Sequence, residues 1–198
     1  GSNADSAIVS QAEDGSGNAS LQFWTDTSNG MSEKMRVDSD GRLLVGTTSS
    51  RAVGGVTAKF EVEGTGSDSS ISLIRNSNNS ANPYLLFGKS RGTSVGSNTV
   101  VNDEDYLGAI YFAGADGTDL ANIAAEILCR VDDAPGSNDM PGRLELKTSS
   151  GSGTTTRLRI SNVGKFTAPT IHSLTTTGGN PVYVESDGDL LRYTSSLK

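Results

Sequence analysis

The sequence predicts an all-β protein, built of short antiparallel strands and hairpins that form stacked β modules, sandwich-like or prism-like. Three observations carry that expectation. Residues 21–50 recur without a gap at 144–173. Apolar and polar residues alternate with period two in both copies. The segments between candidate strands are dense in glycine, serine, asparagine and aspartate, the residues that make turns.

Residues 1–19 begin Gly1-Ser2-Asn3-Ala4, which reads as a tag remnant followed by a flexible N-terminal segment. A hairpin module is expected over 20–56. Leu21-Gln22-Phe23 alternates as a half-buried strand does. Met35-Arg36-Val37 and Leu43-Leu44-Val45 flank Asp38-Ser39-Asp40-Gly41, whose glycine suits the left-handed position of a hairpin loop. In the second copy Leu144, Thr148, Gly153, Arg159 and Gly164 stand where Leu21, Thr25, Gly30, Arg36 and Gly41 stand in the first. A third, shorter copy sets "VESDGDLL" (184–191) beside "VDSDGRLL" (37–44). C-terminal hairpin repeats therefore occupy 149–198.

The central region, 57–148, contains most of the single-copy sequence. Strands are expected at 57–63, 70–75, 83–88, 107–113, 124–131 and 143–148, separated by polar turns. The stretch 120–131 admits a short helix. Strand is preferred, because Ala125, Ile127, Cys129 and Val131 alternate with Glu126, Leu128 and Arg130.

Composition excludes several function classes. The 198 residues hold 34% hydrophobic residues and 24 glycines, so large apolar side chains are few and glycine is abundant. No long apolar run suggests a membrane span. A net charge of −7 argues against nucleic acid and anionic membranes as partners. One cysteine, Cys129, cannot form an internal disulfide, and one histidine, His172, leaves little for His-centred catalysis. No cofactor is expected.

Asp38-Ser39-Asp40-Gly41 also opens like a calcium loop. Its counterparts, Ser161-Asn162-Val163-Gly164 and Glu185-Ser186-Asp187-Gly188, keep only the glycine. Calcium wants six or more oxygen ligands, and the middle copy offers no carboxylate. A turn with no metal is the expectation.

"SEKMRVDSDGRLLVGTTSS" (32–50) resembles a repeated element of tailed-bacteriophage tail fibres, and 87–119 and 132–149 are similar to the β-rich distal modules of such fibres. "DGDLLRYTSSLK" (187–198) resembles the junction at which fibres pass into an endosialidase-type autocleaving intramolecular chaperone. The resemblance implies an intertwined parallel homotrimer. It implies a cleavage junction at Thr194 and Ser195, with Ser196 as the neighbouring alternative, and a segment ending near that boundary. The assisting lysine of that family would lie beyond Lys198, so no autocleavage is expected of these residues alone. Sparse core residues fit a trimer independently, since apolar faces can be buried against other copies.

The resemblance places the protein in the virion tail fibre, at the host surface, and makes it a non-catalytic adhesin for a bacterial surface glycan or outer-membrane protein. The alternatives are a tailspike-like polysaccharide-degrading module and a purely structural shaft. Recognition is expected in the loop 88–105 with its companions 113–119 and 132–142, because loops vary without harming the scaffold. The receptor-binding candidates are Arg91, Asn98, Asn102, Tyr106, Asp116 and Asn138. Trp24 suits packing better than sugar stacking. Asp103, Glu104 and Asp105 are expected to be solvated loop acids, with no second carboxylate placed across a cleft for glycosidase chemistry.

Overall fold

A computed structural model describes residues 5–27, 29–169, 182–184 and 190–192. Every regular element among them is a strand. β1 (Ser6–Ala12), β2 (Ala19–Thr27), β3 (Gly30–Val37), β4 (Leu43–Val45) and β7 (Phe60–Val62) form a five-stranded sheet in the order β1-β2-β3-β4-β7. β8 (Tyr106–Ala113), β9 (Ile123–Val131), β10 (Gly142–Ser149), β11 (Thr154–Ile160) and β12 (Phe166–Thr167) form a second, ordered β12-β11-β10-β9-β8. Two small hairpins pair β5 (Ala52–Val53) with β6 (Val56–Thr57), and β13 (Val182–Val184) with β14 (Leu190–Arg192). Pairing is antiparallel except between β4 and β7.

The parallel β4–β7 pair needs a crossover, which 46–59 supplies. The chain turns out of β4 at Gly46, with φ +79, and an added Cβ there would meet the Glu63 carbonyl oxygen at 2.1 Å. Only glycine fits. The β5–β6 hairpin within this crossover reaches the second sheet, where the Gly54 N–H donates to the Leu120 carbonyl at 2.8 Å.

The sequence repeat is a structural repeat down to its irregularities. Leu21 pairs with Val37 and Leu144 with Ile160; Gln22 pairs with Arg36 and Glu145 with Arg159. A register shift falls after Phe23 in one copy and after Leu146 in the other. The turns agree as well: Gly41 N–H donates to the Asp38 carbonyl and Gly164 N–H to the Ser161 carbonyl, each at 2.9 Å. Both glycines have positive φ, +69 and +75, which is why glycine survives where the aspartates do not. The third copy has the same pairing at β13–β14, Val184 opposite Leu190.

Both sheets bury the polar face better than the apolar one. In the first, the row Leu21–Val37–Leu43–Phe60 crosses four strands, yet Leu21, Val37 and Phe60 are 37–48% exposed. On the opposite face Ser20 and Gln22 are 2% exposed. In the second, Ile110–Ile127–Leu146–Leu158 form a row, with the first three 37–41% exposed, while Arg143 is 4% exposed. The described core is small: Leu44, Val101, Leu128 and Val131.

Two expectations are corrected. Ser6–Ala12, within the segment expected to be a flexible lead-in, is fully registered against β2. The strands expected at 70–75 and 83–88 do not form, and no residue of 63–105 belongs to a strand. Both segments have strand composition, but a strand requires a neighbour, and none of the described residues provides one. Ile74, Tyr84, Leu85 and Leu86 are consequently 61–81% exposed.

Candidate functional site

The second sheet carries loops at both ends. The segment leading into β8 (88–105), the β9–β10 loop (132–141) and the β11–β12 turn gather at one end. The β8–β9 loop (114–122) lies at the other, a strand length away, about 25–30 Å. The expected recognition residues are thus divided. Arg91, Asn98, Asn102, Tyr106 and Asn138 belong to the first end and Asp116 to the second.

The first end is tied down by charge. Arg91 grips Asp105 with two parallel bonds, Nε to Oδ2 at 2.6 Å and a terminal nitrogen to Oδ1 at 2.7 Å. Asp105 also accepts the Asn102 N–H at 2.9 Å. These donors hold its carboxyl far below the ordinary carboxylate range, Arg91 contributing most. Arg91 and the Asn102 backbone therefore shape the loop. Tyr106 stacks under the Arg130 guanidinium, 4.2 Å from its ring centroid.

Behind the loop lies a network that sequence reasoning missed. Buried Arg143 donates to Glu104 through both terminal nitrogens, to Asp132 Oδ1 at 2.9 Å and to Glu145 Oε1 at 2.7 Å. Arg130 reaches Glu104 at 3.3 Å, and Arg159 also pairs with Asp132. Glu104 and Asp105, expected to be solvated, are engaged in ion pairs. Glu104 even accepts a left-handed backbone, φ +69, a conformation costly for a residue with a Cβ. Its bonds from Arg143 lower its pKa, and Asp132 is lowered first by the Asn162 N–H and then by Arg143. The alternation of Arg143, Glu145 and Lys147 with Leu144 and Leu146 was the available signal for a charged face; nothing local pointed to Glu104.

In front of the network the two loops enclose an open cavity of about 540 Å³, lined by Lys89, Asn98, Val100, Ser137 and Met140 among others. Of the six expected residues, only Asn98 lines it. Asn138 lies in the facing loop with φ +58, in a turn closed by Gly136 and Asp139. At the opposite end Asp116 accepts from the N–H groups of Thr118 and Asp119 and from Asn122 Nδ2, so it organises its own loop.

In the first sheet, Asp38 Oδ1 accepts the N–H groups of Asp40 and Arg42 at 3.0 and 2.8 Å, and Oδ2 takes Arg42 Nε at 2.6 Å. Trp24 is half-buried, and its indole N–H donates to Gln22 Oε1 at 3.0 Å. Thr194, Ser195 and His172 lie outside the described residues.

No protein-family model matches the chain, and no curated protein does. Solved structures do. The carboxy-terminal domain of the bacteriophage T5 L-shaped tail fibre superposes with a TM-score of 0.59 at 11% identity, covering 98% of this chain and 86% of that one. The same domain with its intramolecular chaperone matches with the same TM-score and identity, the overlap covering 60% of that longer chain. The chain therefore has the fold of a phage tail-fibre carboxy-terminal domain.

Proposed function

We propose that this protein is a segment of a bacteriophage tail fibre that assembles as a parallel homotrimer and attaches the virion to the bacterial surface without catalysing a reaction. The fold carried across 98% of the chain is the main support. Half-exposed apolar rows on both sheets support self-assembly, because soluble monomers rarely leave contiguous apolar faces open. The loop cluster around Lys89, Asn98 and Ser137 is the receptor-facing end. It is concave, braced by ion pairs, and presents an ammonium, an amide and a hydroxyl beside apolar Val100 and Met140. A surface glycan or an exposed outer-membrane protein loop fits such a surface. Three weak contacts acting together give avidity.

The test is binding of labelled protein to host cells by the variant Lys89→Ala/Asn98→Ala/Ser137→Ala. Binding should fall at least tenfold while circular dichroism stays unchanged. Undiminished binding would remove the receptor role from this end of the sheet.

A further inference from the structure

The longest described stretch without a strand, 63–105, contains two short apolar segments. Residues 71–75 and 84–87 form two extended arms joined by the polar turn 76–83. Ile71, Leu73, Ile74, Tyr84, Leu85, Leu86 and Phe87 are all at least half exposed, from 51% to 81%. No backbone-to-backbone hydrogen bond among the described residues involves 71–87. Apolar segments with unpaired backbone groups are prone to add onto another strand.

The arms are fastened at one point. Phe87 lies against β8, where an added Cβ on Gly108 would sit 2.7 Å from the Phe87 Cβ. From there Leu85, Leu86 and Phe87 border an apolar hollow of about 390 Å³, whose opposite wall is Ile110, Ile127 and Leu144. The hollow is continuous with the open row of the second sheet. Arg75 is the only charged residue from 70 to 87, in a chain carrying −7 overall. The arms can therefore be buried at little electrostatic cost, even against another copy of an acidic protein.

We infer that the arms 71–75 and 84–87 are strands that pair with a second copy of this chain, their apolar side chains covering its open sheet face. This rests on the homotrimer reading and locates the exchange. One chain supplies both halves of the fit: apolar segments whose backbone makes no backbone-to-backbone bond among the described residues, and an apolar sheet face still 37–41% exposed. Strand addition between copies satisfies the backbone and the side chains together.

The experiment places a photoactivatable benzophenone amino acid at Leu73 or at Leu86, irradiates the assembled protein, and separates the products under denaturing conditions. Light scattering and amide hydrogen exchange are run on the unsubstituted protein. A trimer, covalent multi-chain products and arm amides slowed about 100-fold or more relative to an unstructured peptide are expected. A trimer whose cross-links stay within one chain and whose arm amides exchange freely would overturn the arm exchange and leave the trimer standing. A monomer by light scattering would overturn both.

Discussion

The two full copies of the hairpin repeat share a backbone and differ in what they bury. Ser20 and Gln22 in the first occupy the positions of Arg143 and Glu145 in the second. Ser20 and Gln22 make a neutral chain, Gln22 Nε2 donating to Ser20 Oγ at 2.9 Å and Trp24 donating in turn to Gln22. Arg143 and Glu145 are part of an ion network that reaches across to Glu104 and Asp132. The comparison separates what the fold demands from what it tolerates. It demands an apolar alternate, a bulge and a glycine turn. On the polar face it accepts amide or ion pair, provided every buried group finds a partner.

The difference can be tested most severely at its charged end. Arg143→Ala removes the buried cation shared by Glu104, Asp132 and Glu145, leaving Arg130 and Arg159 to hold only the first two, and should cost about 3 kcal/mol in chemical denaturation. Ser20→Ala at the matching position removes one neutral acceptor and should cost about 1 kcal/mol. Equal losses would mean that the network is only decoration. Acid should weaken the ion network as well. Glu104 and Asp132 titrate below the ordinary range in the folded state, so the unfolded chain binds protons first. Their contribution is complete above the unfolded carboxylate values, near pH 4, and is lost as pH falls through the lower folded values. Hydrogen exchange should show β9–β11 loosening as pH falls through those lower values, and the Asp38 turn of the first copy, whose carboxyl is also lowered, loosening in acid as well. The two glycine turns should give the most even effect. Gly41→Ala and Gly164→Ala each place a Cβ on a left-handed residue with open space around it, at about 1–2 kcal/mol. A twofold or greater inequality between those costs would break the structural equivalence of the turns.

Much of this architecture was legible because the repeat acted as an internal control. Comparing Asp38-Ser39-Asp40-Gly41 with Ser161-Asn162-Val163-Gly164 identified the turn, and the strand Ile123–Val131 followed from its alternation. Local pattern could not supply partners. It marked 70–75 and 83–88 as strands from composition, whereas strand formation depends on a neighbour, which composition does not encode. It also missed Glu104–Arg143, thirty-nine positions apart in sequence, since ion pairs across a fold leave no period. Arg91 and Asp116 are expected as recognition groups because they are polar loop residues; in the structure each also organises its own loop, and Asn98 alone among the six borders the cavity.

The register shift after Phe23 and Leu146 has a consequence for how such modules change length. Trp24 pairs with Glu33 and Lys147 with Thr156, so Lys34 and Arg157 are each an odd residue set into the ladder. Each works like a leap day, absorbing one residue so that Met35-Arg36-Val37 and Leu158-Arg159-Ile160 keep their phase. The distal hairpin tip can then gain or lose residues while the turn end stays aligned with its neighbours, which lets two copies with such different buried chemistry retain one frame.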